Sequence, residues 1–226
     1  MTAVLPRSTG PRWVRVTWRS TVPEQHSLIA VDPDRCPDDA PVALRAPDGA
    51  RPAGWLVDVR CCGRDDAVLR IDVSPAVAVP GLPIWFAEVH LASSGVPAAT
   101  LLAFTGGGVS AGRLLRPHEV ALRRLAMADH LAAVRWQLRS GLVESVFVRE
   151  GWRGRGLGRL VVTAADGLRA LRDWAPLISD GRLTDAGAAW LAGSPRYWQP
   201  RLARRSAHLS PEAGPGALTG VARLLR

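Results

Sequence analysis

A glycine-rich stretch at residues 153–158, Arg-Gly-Arg-Gly-Leu-Gly, joins a strand-like run to a helical run. The apolar run before it covers residues 142–148, and apolar residues after it recur at three- and four-residue steps through 157–171. Alternate glycines let the backbone approach a ligand, while an opening helix directs unpaired N–H groups and its positive dipole end at one point. This order of elements predicts an anion site, with phosphate as the expected anion.

The chain is long enough, at 226 residues, to bury a core in one or two domains. Hydrophobic residues make up 47% of it and charged residues 22%, and no apolar run approaches the roughly 20 residues of a membrane span. The first ten residues lack the apolar segment of an export signal. We therefore expect a cytoplasmic protein without a membrane partner.

All 29 basic residues are arginine, and the formal net charge is +9. Lysine and asparagine are both missing while Ala, Gly, Pro and Arg abound, which is typical of a GC-rich coding sequence. The planar fork of arginine also suits bidentate contacts to phosphate. Because the arginines are spread along the chain, the charge permits nucleic-acid binding but does not indicate it.

The three cysteines, Cys36, Cys61 and Cys62, do not form the pattern of a disulfide framework or a metal site. Two adjacent cysteines cannot chelate zinc tetrahedrally with only one other thiol and no nearby pair of histidines. We expect reduced thiols on a strand and no metal.

The first third of the chain has the alternation and composition of β structure. A segment with three prolines and a glycine, 74–83, predicts a boundary before the second part. The predicted strands are 13–18, 55–59, 68–73, 84–91, 98–104, 132–138 and 142–148, with a short one at 176–179. The predicted helices are 117–129, one that starts at Leu157 and is ended by Pro176, and one capped by Thr184 that runs through Leu191.

A hairpin, the pattern Arg-x-x-Gly-x-Gly at Arg153, Gly156 and Gly158, and an amphipathic helix together resemble the GNAT superfamily of acyl-CoA-dependent N-acyltransferases. The resemblance covers roughly residues 132–197. It implies an α+β fold with a mixed, mostly antiparallel sheet flanked by helices. A dinucleotide-binding βαβ unit fits less well, because the glycine spacing differs and a hairpin precedes the loop.

The resemblance implies that acetyl-CoA is the acyl donor and that its pyrophosphate binds the loop. The free main-chain groups of the preceding strand would pair with the pantetheine arm beside the thioester. The implied donor-binding residues are Val146, Phe147 and Val148 of the strand, with Arg153, Gly154, Arg155, Gly156, Leu157, Gly158 and Arg159 of the loop and helix.

Two side chains are candidates for proton transfer. Glu144 is the candidate base, because alternation along the predicted strand places it on one face with Val146 and Val148, although it could instead be an ion-pair partner for nearby arginines. Tyr197, the single tyrosine, is the candidate acid near the sulfur, although packing beside Trp198 would also explain it. His90 is a further candidate base on the strand at 84–91.

The expected organisation is a β-rich region of unknown role at 1–80, a GNAT-like domain at 81–210 and a tail at 211–226. The expected activity is transfer of an acetyl group from acetyl-CoA directly to an amine. A non-catalytic module that binds acyl-CoA or a protein partner is the alternative, and arginine-mediated nucleic-acid binding is a third. The family usually places two helices between its first two strands, whereas 84–104 resembles a plain hairpin, so the sequence does not identify the acceptor. It does not identify the oligomeric state either, and a homodimer is possible.

Overall fold

The computed structural model describes residues 10–18, 25–33, 51–62, 67–93, 95–123, 126–194 and 207–208, which form an α+β fold with two larger sheets. The first sheet is antiparallel, in the order β1-β2-β3-β4. Its strands are β1 (Arg12–Trp18), β2 (Gln25–Val31), β3 (Trp55–Cys62) and β4 (Ala67–Val73). Strands β1, β3 and β4 confirm the three strands predicted for the first third of the chain, whereas β2 was not predicted.

The second sheet has the order β7-β5-β6-β8-β9 and is antiparallel except that β7 runs parallel to β5. Its strands are β5 (Ile84–Ser93), β6 (Val96–Thr105), β7 (Leu114–Leu115), β8 (Ala132–Gln137) and β9 (Val143–Val148). The two predicted hairpins are thus confirmed. The N–H of Ile71 on β4 donates to the Gly112 carbonyl at 2.7 Å, so the two sheets meet beside β7.

Three α-helices lie in the described part of the chain: α1 (Pro117–Leu122), α2 (Leu157–Leu171) and α3 (Asp185–Ala192). Two short parallel strands, β10 (Arg182–Leu183) and β11 (Ala207–His208), form a third sheet. The predicted cap of the last helix is confirmed, because the Thr184 hydroxyl accepts from the N–H of Gly187 at 3.1 Å.

Helix α2 lies between the two larger sheets and contacts β2, β3 and β4 as well as β6, β8 and β9. All side chains of residues 160–169 are buried. The apolar periodicity predicted one buried face, and the structure buries every face because the first sheet covers the other side. The fit is close at Gly167, where an added Cβ would lie 2.7 Å from Cγ2 of Val59.

The main hydrophobic core surrounds α2 and draws on both predicted regions. Val57, Val59 and Ile71 of the first sheet share one cluster with Leu101 and Val134 of the second. Residues on both sides of the predicted boundary near residue 80 therefore belong to one core. A second cluster lies on the opposite face of the second sheet, where it includes Trp85 and Phe104, whose rings stack at 4.4 Å.

The predicted helix at 117–129 is shorter in the structure. Helix α1 ends at Leu122, and a separate 3-10 turn covers Met127–Asp129. Glu119 caps the first turn by accepting from the N–H of Arg116 at 2.8 Å, but Val120 is the single buried residue of α1. Short helices depend on tertiary packing for their stability. Because Val120 is the single buried residue, α1 extends for fewer than two turns.

The C-terminal end of α2 is tied to β5 through the buried side chain of Glu88. Arg172 donates to both carboxylate oxygens, and His90 Nε2 lies 2.6 Å from Oε1. The guanidinium of Arg172 also lies 4.8 Å from the ring centre of Trp174. Burial alone would raise the pKa of Glu88, but the hydrogen bonds from His90 and Arg172 outweigh it and lower that pKa.

The Glu88→Gln variant should lose about 3 kcal/mol of unfolding free energy at pH 7, because it leaves Arg172 without its anion. A carboxylate whose folded-state pKa is lowered stabilises the protein above its unfolded pKa and loses this effect as the pH falls through the lowered pKa. Urea unfolding should therefore separate the two proteins at pH 7, and the difference should disappear only once the pH lies below the lowered pKa of Glu88. Glu150→Gln, at an exposed carboxylate, is the control; an equal loss there would contradict the prediction.

Candidate functional site

The glycine loop connects β9 to α2 and has the predicted strand-loop-helix geometry. Gly154 has φ of 75° and Gly156, the N-cap of α2, has φ of 87°, a region that disfavours other residues. An added Cβ at either glycine would meet nothing within 4 Å. The N–H of Leu160 makes the first bond into the helix, to the Gly156 carbonyl at 3.0 Å. The preceding amides from Leu157 onward therefore have no acceptor within the helix.

Gly158 lies in the first turn of α2, where two other elements meet it. An added Cβ there would lie 3.7 Å from Cγ2 of Val148 and 3.9 Å from the indole of Trp190. The helix start is thus bordered by the end of β9 on one side and by α3 on the other.

Strand β9 is an edge strand, and in the part of the chain that the structure describes residues 145–148 pair with β8 only. The N–H of Arg149 donates to the Leu131 carbonyl on the β8 side. Because main-chain groups alternate in direction along a strand, those of Val148 and Val146 point away from β8. We call the outward main-chain groups of these two valines the open edge.

The segment 177–179 meets β9 only where that strand begins. Val143 donates its N–H to the Ile178 carbonyl, and Ile178 donates to Gly141, both at 2.9 Å, in parallel orientation. Val146 and Ile178 are 42% and 39% exposed, and they are two of only four large apolar side chains that are exposed among the described residues. The open edge therefore has polar main-chain groups beside exposed apolar surface.

A bulge in β9 changes the position of Glu144. Arg135 pairs with Ser145 and Trp136 pairs with Val143, so Glu144 is an extra residue without a partner of its own on β8. Regular alternation, which placed Glu144 on one face with Val146 and Val148, therefore does not hold at this point.

The Glu144 carboxylate lies on the face of the second sheet opposite α2. It accepts from Arg135 Nε at 2.7 Å and from Gln137 Nε2 at 3.1 Å, whereas Val148 packs on the α2 side together with Val134. Arg135 is only 3% exposed. Of the two sequence interpretations of Glu144, the ion pair is present in the structure: Oε2 accepts from Arg135, and Oε1 accepts from the neutral amide of Gln137.

Phe147 and Leu157 contribute less to the open edge than the resemblance implied. The main chain of Phe147 pairs with Ala133, and its ring packs on the second cluster, 5.1 Å from the ring of His130. The side chain of Leu157 is 1% exposed and belongs to the main core. Only the main chain of Leu157 faces the loop.

Two of the arginines near the loop direct their guanidinium groups away from it. Arg149 donates to the Ala128 carbonyl at 2.6 Å, beside α1 and its following turn. Arg159 donates to the Ala76 carbonyl at 2.8 Å, in the segment before β5. These contacts join the loop to the rest of the fold.

The other two arginines stay at the loop itself. Arg153 Nε donates to the Val148 carbonyl at 3.2 Å, which places a guanidinium where the open edge meets the loop. The guanidinium carbon of Arg155 lies 4.9 Å from the ring centre of Trp152. The positive charge predicted for phosphate is therefore supplied chiefly by Arg153 and Arg155.

Of the remaining candidates, His90 is not brought together with Glu144. Tyr197 lies outside the described residues. His90 shares a row of the second sheet with Val143, three strands and roughly 14 Å away. Its ring nitrogen is engaged with Glu88, so the structure gives His90 a place in the ion cluster at the other end of α2.

Sequence reasoning missed three residues that shape this region: Arg135, Ile178 and Trp190. A charged residue within the apolar run 131–136 was the available signal for Arg135, because buried arginines are rare unless paired. Ile178 and Trp190 gave no signal, because their positions depend on contacts between distant segments.

Comparison with protein-family models, with curated proteins and with solved structures finds no match to this chain. Among the described residues, no cluster of three or more His, Cys, Asp or Glu side chains is suited to a metal. No helix in the described ranges has both the length and the apolar character needed to span a membrane.

Proposed function

We propose that this chain is an N-acyltransferase that transfers an acetyl group from acetyl-CoA directly to an amine. The observation that carries the proposal is the open edge of β9, which is followed along the chain by a 3-10 turn at Glu150–Trp152, the glycine loop and the start of α2. Together with the loop sequence, this arrangement supports the resemblance to the GNAT superfamily.

Each part of the donor has a matching group on this surface. A pyrophosphate would accept hydrogen bonds from the amides that begin α2, with Arg153 beside them. The two amides of a pantetheine arm would pair with the outward groups of Val146 and Val148, as an added strand does. The exposed side chains of Val146 and Ile178 would then cover its methylene groups.

The reaction requires a neutral amine nitrogen that attacks the thioester carbonyl carbon. The C–N bond forms, the C–S bond breaks, the nitrogen loses a proton to a base, and the departing thiolate accepts a proton. Glu144 is the candidate base, held in place by Arg135 and Gln137. Tyr197 is the candidate acid, as the resemblance implies.

A non-catalytic module that binds acyl-CoA is the second candidate function. The observation that favours it is the ion pair of Glu144, because a carboxylate whose two oxygens are both hydrogen-bonded is less available for proton transfer. The two candidates share the donor site and differ in turnover.

Isothermal titration of the full chain with coenzyme A tests the donor site. We expect saturable binding with Kd below about 1 mM. An absence of binding at that concentration, in protein shown to be folded by circular dichroism, would overturn the proposal.

Release of free thiol from acetyl-CoA, measured with a panel of amines, then separates the two candidates. An enzyme whose base is Glu144 should lose about a hundredfold in kcat in the Glu144→Gln variant. Tyr197→Phe should reduce kcat as well. Binding without turnover for any amine would favour the non-catalytic module.

A further inference from the structure

Arg155 is the arginine of the loop that the fold itself does not use. Arg149, Arg153 and Arg159 each donate to a main-chain carbonyl. Arg155 is exposed, and no carboxylate in the described ranges pairs with it. A charge that makes no structural contact with an anion is available for one supplied by a ligand.

Trp152 holds Arg155 at a defined position. The indole is half-buried and packs against the main core, so its ring is fixed by the fold. The left-handed turn at Gly154 reverses the chain between the two residues and brings the Arg155 guanidinium over the ring, 4.9 Å from its centre. An aromatic face next to a guanidinium stacks with a planar base and binds phosphate in the same place.

We propose that Trp152 and Arg155 bind the adenine nucleotide end of the donor. The base stacks on this pair, and Arg155 contacts the phosphate on the ribose 3′ oxygen. This inference rests on the proposed function and specifies its substrate class. The donor is free acyl-CoA, because an acyl group carried on a protein-bound phosphopantetheine has neither the base nor the ribose phosphate.

Three probes test this pair in the full-length chain: coenzyme A, dephospho-coenzyme A, which lacks the 3′-phosphate, and 4′-phosphopantetheine. We expect the wild-type protein to bind coenzyme A about tenfold more tightly than dephospho-coenzyme A. In Arg155→Ala this preference should vanish, because coenzyme A loses its phosphate contact and therefore loses more affinity than dephospho-coenzyme A. Arg139→Ala, at an exposed arginine of the β8–β9 turn, is the matched control and should keep the preference.

The Trp152→Leu variant keeps an apolar side chain against the core. We expect this variant to bind coenzyme A and dephospho-coenzyme A more weakly by the same factor, about tenfold. Its affinity for 4′-phosphopantetheine should be unchanged. Equal affinity of the wild-type protein for coenzyme A and dephospho-coenzyme A, unaltered in Arg155→Ala, would overturn this inference and leave the proposed function standing. Binding of none of the three probes would overturn the proposed function itself.

Discussion

The Gly156→Glu variant is expected to lose coenzyme A binding by at least about a hundredfold. Gly156 caps α2 with φ of 87°, and the space beside its α-carbon is empty for 4 Å. A glutamate there would project a carboxylate toward the amides that are proposed to receive pyrophosphate. Like charges would repel, and the carboxylate would compete for the same N–H groups. Isothermal titration against coenzyme A measures the loss.

Two controls separate charge from backbone strain. Gly156→Ala imposes the same unfavourable φ, worth about 1–2 kcal/mol of unfolding free energy, without the charge, and should keep affinity within about threefold. Gly151→Glu adds the charge at an open glycine of the 3-10 turn that precedes the loop, where φ is not positive. If Gly151→Glu abolishes binding as completely as Gly156→Glu, the effect is one of general charge and the amides of α2 are not the site.

The Gly141→Ala variant is expected to cost about 3 kcal/mol or more of unfolding free energy. Gly141 has φ of 72°, and an added Cβ would lie 1.9 Å from the carbonyl oxygen of Pro176. That oxygen belongs to the backbone and cannot move without shifting the segment that pairs with Val143. The hydrogen bond from Ile178 to Gly141 would be lost with it. Urea unfolding at pH 7 is the measurement.

Gly95→Ala is the matched control for Gly141→Ala. Gly95 lies in the β5–β6 turn with φ of 81°, and an added Cβ meets nothing within 4 Å. It should therefore cost only the strain of the left-handed conformation, about 1–2 kcal/mol. Equal losses in the two variants would show that the contact with Pro176 relaxes freely. The Gly141 variant should also bind coenzyme A more weakly, because the segment 177–179 would separate from β9.

Local patterns in the sequence predicted seven of the longer strands and the start of α2 correctly, but not β2. Alternation defines the hairpins, and the glycine at position 156 and the threonine at position 184 mark helix starts by their own geometry. The complete burial of α2 could not be predicted in the same way. Small residues such as Ala165 and Gly167 look like a neutral face in the sequence, and only the packing of β3 against them makes that face a core.

In the candidate site, too, the local features could be predicted from the sequence and the long-range contacts could not. The glycine loop is a local feature, so its geometry followed from its sequence. The environment of Glu144 did not, because a bulge leaves no mark in the alternation of residues 143–148 and its partner Arg135 lies on another strand. Strand register and the meeting of distant segments set these contacts, and both depend on the whole fold.

The central place of α2 has a thermodynamic consequence for any ligand at its first turn. A helix that supplies core to both sheets cannot unfold while either sheet stays folded, so the described fold should melt in a single transition. Binding at the loop would then raise the melting temperature of the described strands of the β-rich first part by the same amount as that of the second part. Removal of residues 1–80 would expose half of the helix and leave the loop without a rigid support.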